Sequence, residues 1–341
     1  MKERIRRVNF TGEKLARIKQ IQTIVDEYQK QGIVMSARQL YYQFVSRALI
    51  PNADKEYKKL TATLTDARYA GMVDWDAIED RGREAATPSE WSSPQSLMEA
   101  ALRGYRLPRW NGQPYYVELW VEKQALAGVL DPLARQHHAT LMVNKGYSSA
   151  SAMKASAERI KSESIIDKER YDEIEEELQR ADDDLENGMI DQEERDKIFR
   201  ERGEELHSGS CLRRPVILYL GDHDPSGEDM VRDIKDRLAE FGVDHLTVEK
   251  IGLTMTQVKQ YNPPPNPAKV TDPRAKDYVA KFGNKSWEVD ALPPPVLGQI
   301  IRRAFAKFID QTKLAEVKEQ EEKDKELLKA AIDGVMKKRD K

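Results

Sequence analysis

The run PVILYLG, residues 215–221, leads directly into Asp222-His223-Asp224 and then Pro225-Ser226-Gly227. A segment this apolar and rich in β-branched residues, bounded by Pro and Gly, is a buried strand. Three further stretches share its texture: YYVELWV at 115–121, ATLMVN at 139–144 and the weaker HLTVEKI at 245–251. Helical segments separate them, and that alternation predicts an α/β fold with a parallel, Rossmann-like sheet. In such sheets ligands bind outside the carboxyl ends of the strands, where Asp222 and Asp224 stand. Alternate residues of an extended chain point the same way, so both aspartates face one side and His223 faces the other.

A third acid ends another strand. Glu122 follows the run YYVELWV and a helix begins at once; if the two strands are neighbours, Glu122 comes close to Asp222. Clustered carboxylates repel one another without a cation, and burial among like charges suits a group that must carry a proton. Oxygen donors in this pattern fit Mg2+, with Mn2+ as the alternative, which uses one or two carboxylates, waters and phosphate oxygens. Glu122, Asp222 and Asp224 are therefore the candidate metal ligands, with Glu122 also the candidate general acid/base. Lys123 and Lys145 flank the proposed site and hold phosphate or stand as solvated strand-end lysines.

The first 69 residues carry 14 Lys and Arg against 7 Asp and Glu, an excess hidden by a net charge of −3. A phosphate-tracking surface needs such a balance. Leu15, Ile18, Ile21, Val25 and Tyr28 mark one amphipathic helix; ARQLYYQFVSRAL, capped by Ser36, marks a second; YKKLTATLTDARYAG marks a third. MVDWDAIED then reads as a short strand or wing, and the whole matches a winged-helix, helix-turn-helix-like module. Within the second helix Leu40, Tyr41, Phe44, Val45 and Ala48 share an apolar arc, while Tyr42 lies on the polar flank beside Arg38. Arg38 and Arg68 are candidate DNA contacts, and Arg38, four residues before Tyr42, is also a candidate catalytic residue, since a phenol attacking phosphorus needs nearby positive charge. Residues 158–206 invert the balance, with 9 basic against 20 acidic residues and a turn at Asn187-Gly188, and read as an inserted helical hairpin.

At these residues the chain resembles the Toprim domain, and within that group the A subunits of type IIB topoisomerases and the related meiotic double-strand-break proteins. GDHDPSG is similar to their Asp-x-Asp-Pro-x-Gly segment, WVEK to their glutamate motif, RQLYYQF to their Arg-x-x-Tyr-Tyr motif, and SWEVDAL to a Glu-x-x-Ala-Leu element matched by Glu288, Ala291 and Leu292. NKGY at 144–147 is similar to their Gly-Lys-Gly-Tyr, but Ser148-Ser149 replaces the usual Pro-Asp. The resemblance implies a winged-helix DNA-binding domain with the tyrosine helix over 1–105. It implies a Toprim domain over 106–312 with the acidic hairpin inserted at about 155–208, and a charged helix or tail over 313–341. It further implies a homodimer cutting double-stranded DNA, in which Tyr42 of one subunit attacks a phosphodiester at the magnesium site of the other and leaves a 5′-phosphotyrosyl end. Small A-subunit-like proteins of mobile elements are the most similar in size, and strand passage would need a separate ATPase partner. Two other readings remain: a hydrolytic Toprim nuclease without the covalent intermediate, and a non-catalytic DNA-binding or assembly protein.

Composition excludes little else. The single cysteine, Cys211, rules out an internal disulfide and a cysteine-clustered zinc knuckle. Neither a membrane span nor the apolar run of a secretory signal is evident, so a cytoplasmic location without membrane attachment is expected.

Overall fold

The computed structural model describes residues 2–79, 88–144, 146, 148–165, 167–207, 211–268 and 274–339, with backbone only from 335. Lys145 and Tyr147 lie outside the described residues. Helix α1 (Gly12–Gln29) starts at the Thr11 cap and buries Ile18, Ile21, Ile24, Val25 and Tyr28; Leu15, one turn nearer its start, is exposed. A two-residue strand β1 (Met35–Ser36) runs into α2 (Ala37–Ser46), whose first turn is closed by reciprocal bonds between Ser36 and Gln39. Helix α3 (Asp54–Tyr69) completes the trio. The segment expected to form a strand or wing makes a short turn at Trp75–Ala77 and the strand β2 (Ile78–Glu79), which pairs parallel with β1. That strand therefore braces the start of α2.

Helix α4 (Pro94–Gly104) precedes strand β3 (Tyr115–Val121), α5 (Ala127–Gln136), β4 (Leu141–Val143) and α6 (Ala150–Ser164). The acidic hairpin follows as α7 (Lys168–Glu186) and α8 (Gln192–His207), turning at Gly188 with φ 70°. Strand β5 (Arg214–Leu220), α9 (Pro225–Ala239), β6 (Thr247–Gly252) and α10 (Met255–Tyr261) come next. A small antiparallel ribbon, β7 (Asn266–Pro267) with β8 (Lys285–Ser286), frames α11 (Ala275–Phe282) and leads to α12 (Pro294–Ala306) and α13 (Gln311–Arg339).

The protein is thus mixed α/β, with an all-parallel, Rossmann-like four-stranded sheet in the order β4-β3-β5-β6. The two central strands are the most apolar because both of their faces are covered; Val117 through Val121 and Val216 through Leu220 are buried without interruption. Adjacency of β3 and β5 fulfils the condition set for the acids. No described helix is long and apolar enough to cross a membrane.

Two compact units divide the chain. The first comprises residues 1–83, 117–157 and 216–306 and contains the N-terminal helices together with the carboxyl ends of the sheet strands. The second comprises residues 84–116, 158–215 and 307–341. In it Ile174, Leu206 and the free Cys211 form a small core. Among its described residues the most buried charge is Glu321, 2% exposed, which meets Arg109 at 2.7 Å, Lys325 at 2.6 Å and the Leu107 amide at 2.9 Å. Burial alone would raise this carboxyl; those partners outweigh it and hold the group at about 2.

Candidate active site

The loop after β5 is built around two close approaches that only glycine allows. A Cβ on Gly221 would fall 2.4 Å from the Tyr219 hydroxyl, and one on Gly227 would fall 2.2 Å from the carbonyl oxygen of Asp222. Asp224 caps α9 by accepting from the Gly227 amide at 2.7 Å and the Ser226 hydroxyl at 3.0 Å. Beneath the turn, the Lys250 ammonium reaches from β6 to the Asp222 carbonyl at 2.7 Å and to Glu228 at 2.6 Å. We expect Gly227→Ala to displace this loop and destabilise the protein by about 1–3 kcal/mol, the usual cost of forced overpacking. Urea denaturation measures it, and wild-type stability in the variant would show that the turn yields.

His223 points away from the two aspartates, as the alternation requires. It is 1% exposed, accepts or donates at Nδ1 with the Tyr278 hydroxyl at 2.7 Å, and packs against Phe282 and Trp287. Burial depresses its ionisation. Its backbone pairs with Trp287 in both directions, at 2.8 and 3.0 Å, and this bridge delivers the turn Glu288–Ala291 to the end of β5. Asp222 Oδ1 then accepts from the Val289 amide at 2.9 Å.

Glu122 and Asp222, expected to meet at neighbouring strand ends, do meet. Glu122 Oε2 accepts from the Asp222 amide at 3.0 Å and the Tyr219 hydroxyl at 3.3 Å, so it fastens one strand end to the next. Lys123, expected beside the site as a phosphate contact, sits within it. Its ammonium lies 3.0 Å from Asp222, 2.8 Å from Glu288 and 3.6 Å from Asp290. Arg38 closes the same cluster from α2, 2.6 Å from Glu288 and 3.2 Å from Asp290. Two cations thus face three carboxylates.

Burial drives the ionisation of these groups apart. Asp222, 7% exposed, is pushed up to about 8 by burial and the neighbouring Glu122, against the pull of Lys123. Asp290, wholly buried, is raised by the same desolvation. Glu288 is also desolvated, yet Lys123, Tyr42 and Arg38 all bond to it and bring it down to about 2. Lys123 is held firmly in its charged form because three acids outweigh its own desolvation.

Tyr42 joins this cluster directly. Its hydroxyl donates to Glu288 Oε2 at 2.5 Å and accepts from Arg38 at 3.1 Å, so the arginine four residues earlier stands where helical spacing put it. The polar flank of α2 is nonetheless buried: Tyr42 is 2% exposed because the Glu288–Ala291 turn packs over it. Burial first, then the charges of Asp290 and Glu288, raise its ionisation well above that of a free phenol. Tyr41 is core as expected, with its hydroxyl bonded to Asn52 and the Ala53 amide. Ala48, assigned to the apolar arc, lies past the helix end with φ 54°.

A cleft of about 280 Å³ opens over these groups, and Arg38, Tyr42, Lys123, Asp222, Asp224 and Glu288 all line it. Arg68 is elsewhere, beside a second cleft of about 470 Å³ that it shares with Arg38. Its guanidinium lies 4.5 Å from the Trp75 ring centroid and donates to the Trp75 carbonyl at 2.8 Å. Among the described residues no group of three or more His, Cys, Asp or Glu side chains forms a ready metal cage. Magnesium needs less than a cage, since one or two carboxylates and waters suffice. Asp222 and Asp224 on one wall of the cleft offer them, and a set of carboxylate oxygens suits an oxygen-seeking cation.

Glu288 entered the sequence reading only through its motif, and Asp290 and Lys250 not at all. The Glu-x-Asp spacing of 288 and 290 repeats that of 222 and 224 and was the one available signal; nothing in the sequence marks Lys250. No protein-family model matches this chain, and no curated protein matches it either.

Proposed function

We propose that the protein is a magnesium-dependent DNA-cleaving enzyme of the Toprim type, with a winged-helix module carrying the nucleophile Tyr42, acting by transesterification as the A subunits of type IIB topoisomerases do. The observation that carries this reading is the bond between Tyr42 and Glu288 inside the cleft lined by Asp222 and Asp224. A nucleophile, a proton acceptor and two guanidinium or ammonium groups then surround one small space.

Each residue has a chemical part. Arg38 and Lys123 are positioned to exchange their carboxylate partners for the oxygens of a phosphodiester. Once those cations turn to the substrate, Glu288 loses what keeps it a weak base and can take the Tyr42 proton. Glu122 and Lys250 hold the Asp222–Gly227 loop in place. Asp222 and Asp224 would hold magnesium, which when bound supplies charge stabilisation for the phosphate oxygens.

One observation favours hydrolysis instead. Tyr42 is buried and kept neutral, as a structural tyrosine would be, and a hydrolytic nuclease would leave it so. Incubating supercoiled plasmid with the protein and magnesium, followed by denaturant and then protease, decides between the two. Transesterification predicts cut DNA that carries protein on its 5′ ends until protease removes it. Cut DNA with free ends would establish the hydrolase, and uncut plasmid would sink both readings.

A further inference from the structure

Resting on the reading in which Asp222 and Asp224 hold magnesium, we infer that Lys123 makes the binding of that cation conditional on DNA. Its ammonium and the cation compete for one oxygen of Asp222, and an arriving phosphodiester draws the ammonium away. The two aspartates differ in what they leave open. Asp224 fastens its own turn through Oδ1 alone, to the Gly227 amide and the Ser226 hydroxyl, so no hydrogen bond among the described residues uses its Oδ2. Asp222 has both oxygens engaged: Oδ1 accepts from the Val289 amide at 2.9 Å, and Oδ2 lies 3.0 Å from the Lys123 ammonium.

Sharing that oxygen is unfavourable, because it would bring a doubly and a singly charged cation together where water screens them little. Nor does Lys123 swing aside unaided. Its ammonium is also 2.8 Å from Glu288 and 3.6 Å from Asp290, and its side chain is 19% exposed. The phosphate oxygens of DNA offer it a charge-assisted bond of the same kind in exchange. Arg38, the second cation of the cleft, is paired with Glu288 and Asp290 rather than with Asp222, so the competition falls on Lys123.

Such an exchange couples the two ligands. DNA raises the affinity for the cation, and the cation raises the affinity for DNA by the same factor, because binding equilibria around a closed cycle are reciprocal. The cleavage site is thereby assembled only where a phosphodiester is already seated. Lys123 acts here as a positioning residue, through Asp222.

Binding of Mn2+, whose free ion is read by electron paramagnetic resonance, tests this at about pH 8.5, where protons compete little for the carboxylates. The full-length protein is titrated without DNA as wild type, Lys123→Met and Arg38→Met; the last removes the same charge from the same cleft but not from Asp222. Lys123→Met is expected to bind Mn2+ about tenfold more tightly than the wild type, and Arg38→Met within about twofold of it. In a Tyr42→Phe background, which keeps the carboxylates and both cations, a short DNA duplex should tighten Mn2+ binding by a similar factor when Lys123 is present and by much less in Lys123→Met. Equal affinity of wild type and Lys123→Met, or equal gains in the two charge variants, would overturn the inference and leave the metal reading standing. No Mn2+ binding by any of the proteins, with or without DNA, removes the metal site and the inference together. Urea denaturation of the same samples shows which are folded, and Lys123→Gln replaces the methionine variant if that one is not.

Discussion

Tyr42→Phe is expected to eliminate protein-linked DNA altogether while leaving the protein folded. The substitution removes one oxygen and keeps the ring, so the edge contact with Tyr41, at 5.3 Å between centroids, persists. Glu288 loses a hydrogen bond but keeps Lys123, Arg38 and Asn266 as partners. A hydrogen bond to a charged group contributes about 1.5–3 kcal/mol, and with three partners remaining the stability loss belongs at the low end of that range. Chemistry is lost completely, because Tyr42 is the described tyrosine that bonds Glu288, whereas the Tyr41 hydroxyl is committed to Asn52 and Ala53 and the Tyr219 hydroxyl to Glu122. Gel mobility of plasmid with and without protease reads the outcome, and urea denaturation reads the fold. Undiminished cutting with free ends in the variant would return Tyr42 to a packing role and make metal-assisted hydrolysis the working mechanism.

The sheet was legible because its signal is local. Val216–Leu220 is an unbroken apolar run with abrupt ends and Val117–Val121 is interrupted only by Glu118, and burial on both faces is the environment that favours such runs. From strand ends to site is one step of topology, which is why Glu122 and Asp222 could be brought together without coordinates. Their chemistry was not legible, since it depends on what arrives from far along the chain. Glu288 and Asp290 reach Asp222 only because the His223 and Trp287 backbones pair, an event no local pattern announces. The same arrival turned Lys123 from a free phosphate contact into the central cation of the cluster, and covered the flank of α2 that helical geometry had left polar. Arg68 illustrates the reverse limit. It lies in the third helix, as read, yet the Trp75 ring and carbonyl that occupy it come from the turn beyond that helix.

Lys123→Met tests whether that cation holds the site together before any substrate arrives. The variant keeps most of the side-chain volume and removes the charge, so Glu288 and Asp290 keep Arg38 as their cation while Asp222 loses the ammonium 3.0 Å away. Leaving buried charge uncompensated costs about 3–5 kcal/mol; because Lys123 retains 19% exposure, a loss on the order of 3 kcal/mol at pH 7 is expected by that same measure. The pH dependence identifies the cause. Glu288 is lowered from an ordinary 4.5 to about 2, so its contribution to stability is fully present above pH 4.5 and is lost as pH falls toward 2. Asp222 is raised from 3.8 to about 8, so the proton it prefers in the folded state favours folding at low pH, and that advantage fades as pH rises through 8. Without the ammonium, both carboxyls bind protons more readily in the folded protein. The deficit of the variant should therefore be largest at neutral and higher pH, and should shrink steadily as pH is lowered from 4.5. Urea denaturation of wild type and variant at pH 7.5 and pH 4 measures the difference. A deficit of equal size at both values would mean that Lys123 acts through its hydrocarbon stem, and that the charge cluster does not hold Tyr42 and the carboxylates in one cleft.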